Sequence, residues 1–348
     1  MGTREQRRHG RRRQRRRRNY TPLLVLMLVV IAACALLLNS CGKDDDSAQA
    51  DAGAGDVTEN GGVTEPDVDK DSGEDAENGS STPPEDADNQ ALWPGYTVKT
   101  MTEEDMQVGL QILVSNQHMY DFPEAAESQL VKLVDYKSNS YSSNVNDTLI
   151  LPVTVEHLNE MLDDYVAQGG ATDIMVVSGY RTYDFQQGLF DRNAAKNGLE
   201  NAKRYVAQAG GSEHHTGYAV DLYSNNNGDY FEGVGEYKWV TDHCHEYGFI
   251  LRYTEEKEPI TMIGPESWHF RYVSVPHSYI IVDNDFCLEE YIDYLCQFPF
   301  DGEHLTYTVG DQEYEIYYVE GLEVPVPEEG EYTVSGNNVD GFIVTIVK

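Results

Sequence analysis

From about residue 150 onward, the spacing of apolar and polar positions predicts a series of short elements. Thr154 can cap a helix whose apolar residues Val155, Leu158, Met161, Leu162, Tyr165 and Val166 recur at helical spacing, and Gly169-Gly170 stops it. Ile174-Met175-Val176-Val177 is a continuous apolar run and predicts a buried strand. A helix is expected over residues 183–197 and another over 236–247, where Gly248 stops it and feeds the strand Phe249-Ile250-Leu251-Arg252-Tyr253. Residues 288–298 predict a last helix. Beyond it, Thr306 to Thr308, Tyr314 to Val319, Tyr332 to Val334 and Phe342 to Val347 are rich in β-branched and aromatic residues, separated by Gly, Pro and Asn. They predict short antiparallel strands, either a small appended β-module or a sheet completing the main domain. No internal repeat is present. The pattern is that of an α+β domain with a β-rich C-terminal extension.

The N-terminal quarter has no such pattern. Residues 1–20 hold ten arginines against one acid, Glu5. An uncharged apolar run follows, from Pro22 to Leu38, close to the 17–25 residues that span a bilayer as a helix. Arginines ahead of such a span hold that end in the cytoplasm, so the rest of the chain is expected outside. Residues 21–41 therefore read as a membrane anchor. The alternative is a lipoprotein signal, because Leu38-Asn39-Ser40-Cys41 resembles a lipobox with an unusual Asn. Residues 42–91 are dominated by Asp, Glu, Gly, Ser, Thr, Pro and Ala; they bury too little surface to offset chain entropy and predict a disordered acidic tether. Residues 92–298 are expected to form the catalytic domain and 299–348 the β-rich segment.

The formal net charge is −35, and without the arginine-rich head the remainder is more acidic still. That balance argues against nucleic acid as a partner and suits solubility. Outside the anchor the cysteines are Cys244, Cys287 and Cys296, an odd number that implies no disulfide framework; one pair can form, but the sequence does not choose it.

Two segments concentrate chemistry: Ser212-Glu213-His214-His215-Thr216-Gly217-Tyr218-Ala219-Val220-Asp221, and Glu266-Ser267-Trp268-His269-Phe270-Arg271-Tyr272. They supply imidazoles, carboxylates and a candidate cation, the parts of a hydrolytic zinc centre. Such a centre needs three nitrogen or oxygen ligands, an open position, and a carboxylate to move a proton. His214, Asp221 and His269 can be the ligands and Glu266 the base. Asp221 lies in an apolar setting where an unpaired carboxylate is costly, which ligation would relieve. His243 and His245 point to different faces of a helix and cannot readily grip one ion. His215 is expected behind the ligands or facing substrate, and His118 and His277 can line or cover the cleft. A third segment, Ser178-Gly179-Tyr180-Arg181-Thr182-Tyr183-Asp184-Phe185-Gln186, joins the 174–177 strand to a helix. Arg181 offers a fork of donors suited to a carboxylate or an oxyanion, or simply satisfies a helix terminus.

These three motifs, in this order, resemble those of VanY-type D-alanyl-D-alanine carboxypeptidases, zinc peptidases that share a small α+β fold with the hedgehog signalling domain. The resemblance runs from about Leu110 to Leu295 and includes Gly248 to Tyr253. Thr182 stands where a Ser is common, which keeps the hydroxyl. The resemblance implies Zn2+ held by His214, Asp221 and His269, Glu266 as general base, and Arg181 stabilising the oxyanion. Ser212, Tyr205 and Gln186 would surround the substrate carboxylate. It implies a membrane-tethered, extracytoplasmic zinc carboxypeptidase that removes the C-terminal D-alanine from peptidoglycan stem peptides. The rival readings are an L,D-carboxypeptidase on tetrapeptide stems, a peptidoglycan endopeptidase, and a non-catalytic zinc-stabilised wall-binding module; Glu266 and Arg181 together count against the last.

Overall fold

The computed structural model describes residues 93–225 and 229–348. The basic head, the anchor with Cys41 and the acidic tether lie outside the described residues. Among the described residues no helix is long and apolar enough to cross a membrane.

Among the described residues, fourteen strands carry the fold. Between residues 93 and 298 these are β1 (Tyr96–Thr100), β2 (Val131–Lys132), β3 (Ser142–Ser143), β4 (Leu149–Ile150), β5 (Ile174–Ser178), β6 (Ala219–Ser224), β7 (Asp229–Tyr230), β8 (Phe249–Tyr253) and β9 (Glu266–Tyr272). The tail adds β10 (Leu305–Val309), β11 (Gln312–Glu320), β12 (Glu323–Pro327), β13 (Glu331–Gly336) and β14 (Gly341–Val347). The central sheet runs β3-β5-β6-β9-β8, with β7 hydrogen-bonded to β6; only β3 and β5 pair in parallel.

The helix Pro152–Ala167 covers this sheet. Val155, Leu158, Met161, Leu162 and Tyr165 are buried on its inner face, in one core with Ile174, Val176, Val220, Leu222 and Phe270. Each such side chain contributes roughly 1.5–3 kcal/mol by leaving water. The helix starts earlier than Thr154: Pro152 occupies its first turn, where a missing N–H costs nothing. Thr154 is inside, its hydroxyl donating to the Gly217 carbonyl at 3.2 Å, so it ties the helix to the turn that carries His214.

Two further differences from the sequence expectation have local causes. The span 236–247 is not one regular helix but the helix Lys238–His243 between two 3-10 turns, the backbone at His243 opening to φ −112°, ψ −2° before the buried Cys244. Gly248 then has a φ of +80°, and a Cβ there would meet the Tyr272 ring at 2.7 Å and Ser274 Cα at 2.9 Å, so glycine is required. The last helix is Leu288–Leu295, shorter than expected, because the chain after it is drawn beside β11: the Phe298 carbonyl accepts from Tyr318 N–H at 2.8 Å.

The C-terminal segment forms an antiparallel sheet β10-β11-β14-β13, while β12 pairs with β1 from the start of the folded region. β1 and β12 were not expected from sequence; prolines at 325 and 327 mask β12. Ile316, Tyr318 and Ile343 share a core with Ile280, Ile281, Tyr291, Ile292 and Leu295, so the sheet completes the main body rather than hanging from it. His277, fully buried, bridges the Tyr291 hydroxyl (2.7 Å) and Thr345 Oγ1 (3.0 Å) across this seam and is far from lining a cleft. Cys244, Cys287 and Cys296 are all free thiols.

Candidate metal centre

β6 and β9 pair antiparallel with Asp221 opposite His269, which sets their side chains next to each other on one face of the sheet. His214 comes from the 3-10 turn Glu213–Thr216, directly ahead of β6. That turn closes on Gly217, whose φ is +75° and where a Cβ would sit 2.8 Å from Leu130 Cδ2; a side chain here would push the turn off the sheet. Residues distant in sequence thus converge, with one donor atom from each of His214, Asp221 and His269 lying within 4.8 Å of the others. All three are buried.

The hydrogen bonds say which nitrogen each imidazole offers. His214 Nδ1 must donate to the Gly179 carbonyl (2.7 Å), leaving Nε2 inward, 3.2 Å from Asp221 Oδ2. His269 turns Nε2 outward to Glu213 Oε2 (3.1 Å) and Nδ1 inward, 3.2 Å from Asp221 Oδ1. Two imidazole nitrogens and a carboxylate, with both outer nitrogens tied, fit a zinc ion with a fourth position open. Without a metal, burial opposes the charge of His269, but hydrogen bonds to Asp221 and Glu213 raise its pKa to about 9. Burial and the Arg181 charge lower His214 to about 4. Burial works against the Asp221 charge too, but His214 and Arg181 hold its carboxyl well below the usual range.

Glu266 opens β9, its Oε2 lying 3.8 Å from His269 Nδ1. Burial, with Asp221 and Glu213 nearby, pushes it up to about 7 against the pull of His269 and Arg181. A carboxyl with that pKa can exchange a proton near neutral pH. Arg181 stands at the junction of β5 and the helix Tyr183–Asn197. Its Nε donates to Ser178 Oγ (2.8 Å), one arm to Gln186 Oε1 (3.3 Å) and the other to Asp221 Oδ2 (2.5 Å). These residues line a cavity of about 220 Å³, room for a small ligand, together with Tyr205, Ser212, Tyr230, Tyr253 and Trp268.

The three residues expected around a substrate carboxylate all line the cavity but differ in what holds them. Ser212 and Tyr205 line the cavity, and the Ser212 hydroxyl has no hydrogen-bond partner among the described residues. Gln186 is 1% exposed with both ends engaged, Oε1 to Arg181 and Nε2 to the Ala207 carbonyl (2.8 Å); it braces Arg181. His215 does not face the cavity chemistry either: Nδ1 donates to the Arg181 carbonyl and Nε2 accepts from Gly210 N–H, so it fixes backbone. Arg271, the cation within the second motif, is fully buried on Glu213 and on the Leu110 and Ile112 carbonyls. His243 pairs with Glu246 and stacks on Trp239, away from His245.

Sequence reasoning missed Glu213 and its partner Arg252. The signal was available: Arg252 and Arg271 each sit between large apolar residues on their strands, and buried guanidiniums require buried acids.

The family model described as VanY, D-alanyl-D-alanine carboxypeptidase, matches residues 148–275. A D-alanyl-D-alanine carboxypeptidase of Enterococcus faecium is 33% identical over 275 residues, covering 78% of this chain and 86% of that one. A bifunctional D-Ala-D-Ala dipeptidase and D-Ala-D-Ala carboxypeptidase of Enterococcus gallinarum is 42% identical over 137 residues, 38% of this chain and 72% of its own. Among solved structures, a vancomycin-resistance D,D-dipeptidase in complex with a D-Ala-D-Ala phosphinate analogue superposes with a TM-score of 0.64 at 30% identity. It covers 73% of this chain and 99% of its own, a span longer than residues 92–298.

Proposed function

Because this chain belongs to the VanY-type D-alanyl-D-alanine carboxypeptidase family, we propose that it is a zinc-dependent carboxypeptidase that removes the C-terminal D-alanine from peptidoglycan stem peptides. The observation that carries the reading is the convergence, in one cavity, of two imidazoles that each turn one nitrogen towards Asp221, together with Glu266 and Arg181. In this reading His214 Nε2, Asp221 and His269 Nδ1 hold the metal. When bound, zinc acts as a Lewis acid and lowers the pKa of water from 15.7 to about 7.

The protein's own groups do the rest. Glu266 is placed to take a proton from the attacking water and return it to the leaving amine, a task its raised pKa suits. Arg181 aims its fork where negative charge develops on the scissile carbonyl, held in place by Ser178 and Gln186. Ser212 and Tyr205 offer hydroxyls at the cavity wall for the substrate carboxylate. The arginine-rich head and the apolar run at residues 21–41 support a membrane anchor with the catalytic domain outside, where stem peptides are found. Labelling intact cells with a membrane-impermeant reagent tests that placement, and an unlabelled C-terminal region would overturn it.

The test of activity is incubation of the protein with defined pentapeptide and tetrapeptide stems, with and without a chelator, followed by mass spectrometry. Loss of one alanine from the pentapeptide, abolished by the chelator, is expected. Release from the tetrapeptide alone would shift the assignment to L,D-cleavage, and no release from either would sink it.

A further inference from the structure

Glu213 has no part in the chemistry above, yet it is the most deeply buried acid at the site. Its side chain is fully enclosed. The two carboxylate oxygens divide their work. Oε1 accepts from Arg252 Nε (2.7 Å) and from Arg271 (3.1 Å), while Oε2 faces only the imidazole of His269, at 3.1 Å from Nε2. Arg252 is itself clamped by Glu289, which takes both of its terminal nitrogens at 2.9 and 2.7 Å. Arg271 is pinned by the Leu110 and Ile112 carbonyls, each at 3.0 Å. A carboxylate in so dry a place is tolerated only because these cations neutralise it, and they leave it a single direction in which to accept.

We propose that Glu213 is a positioning residue: its Oε2 takes the Nε2–H of His269 and thereby fixes the imidazole tautomer and ring orientation that present Nδ1 to the metal. Arg252 and Arg271 keep the carboxylate ionised and stationary. A carboxylate behind a ligating imidazole also raises the ring's donor strength. Glu213 is a poor candidate for the base, since Oε1 is doubly engaged and Oε2 points at a ring nitrogen. The proposal rests on the reading of His269 as a metal ligand, and the experiment separates the two.

Zinc affinity is measured by competition with a chromophoric chelator for the wild-type protein, His269→Ala and Glu213→Gln, and the visible spectrum of each is recorded with Co2+ in place of zinc. His269→Ala should lose zinc binding; if it binds as the wild type does, the ligand reading itself fails. Glu213→Gln should bind zinc about 10- to 100-fold more weakly, with a shifted Co2+ spectrum. Wild-type affinity and an unchanged spectrum in a folded Glu213→Gln would overturn the proposal alone. If that variant does not fold, the zinc-loaded wild type with 15N-labelled histidine decides. Nε2 of His269 should carry a hydrogen-bonded, slowly exchanging proton; an unprotonated Nε2 overturns the role.

Discussion

Replacing Arg181 with Met keeps the aliphatic stem and removes the guanidinium, and the structure says what that should cost. The fork is aimed before any substrate arrives, by Ser178 Oγ at 2.8 Å and by a Gln186 whose other end is fixed on the Ala207 carbonyl. Removing one preorganised donor to a developing oxyanion raises the barrier by about 2.7–4 kcal/mol, or roughly 10²–10³ in kcat. The third arm of Arg181 lies on Asp221 Oδ2, so the substitution also strips one cation from a proposed ligand. Asp221 keeps His214 and His269 beside it, and a bound metal adds charge of its own, so zinc content should stay at the wild-type level. Arg181→Lys, which restores a charge without the planar fork, should recover only part of the rate. The assay is D-alanine release from a pentapeptide stem, with kcat and KM separated and zinc quantified by mass spectrometry. A kcat for Arg181→Met within about threefold of wild type would refute the oxyanion role. Loss of zinc with the loss of rate would instead make Arg181 a holder of Asp221.

Glu266→Ala should retain zinc and lose turnover by about 10²–10⁴-fold, read in the same assay; a fully active variant refutes the base. Glu289→Gln breaks a buried pair with Arg252 and should cost about 3–5 kcal/mol at neutral pH. Burial works against the Glu289 charge, but Arg252 lowers its pKa, so its contribution is complete above the ordinary glutamate value of 4.5 and is lost as pH falls through the folded-state value. Melting temperature against pH should therefore fall less steeply on the acid side in the variant than in wild type, and parallel curves would contradict this. Ile343→Ala, at a position 1% exposed in the shared core, should cost about 2–5 kcal/mol and lower a single calorimetric transition. A separate transition for the C-terminal sheet would show that it folds independently.

Much of the fold was readable because local rules governed it. The helices at 152–167 and 183–197, the strands β5 and β8, and the four main strands of the tail follow from local sequence pattern and from stop signals such as Gly169 and Gly248. The misreadings fall where long-range contacts overrule local preference. The chain after Leu295 stops being helical to pair with Tyr318, and β12 forms despite its prolines because β1 supplies its partner. The family resemblance implied Gln186 around the substrate carboxylate; its burial at the cavity wall, with both ends of its amide occupied, shows it bracing Arg181.

At the site itself, the residue types and spacing alone determined which groups were available: His214, Asp221 and His269 as candidate donors, Glu266 as an acid three residues before His269, Arg181 between a strand and a helix. Those assignments depend on side-chain chemistry, which the sequence states directly. The tertiary structure decided how the groups are used. The pairing of β6 with β9 brings Asp221 opposite His269 across 48 residues, and the Gly179 carbonyl and Glu213 select the nitrogen each imidazole turns inward. Burial decided the rest, because in a dry interior every charge must find its counterpart, and only the folded chain shows that Glu213 answers Arg252, Arg271 and His269 at once.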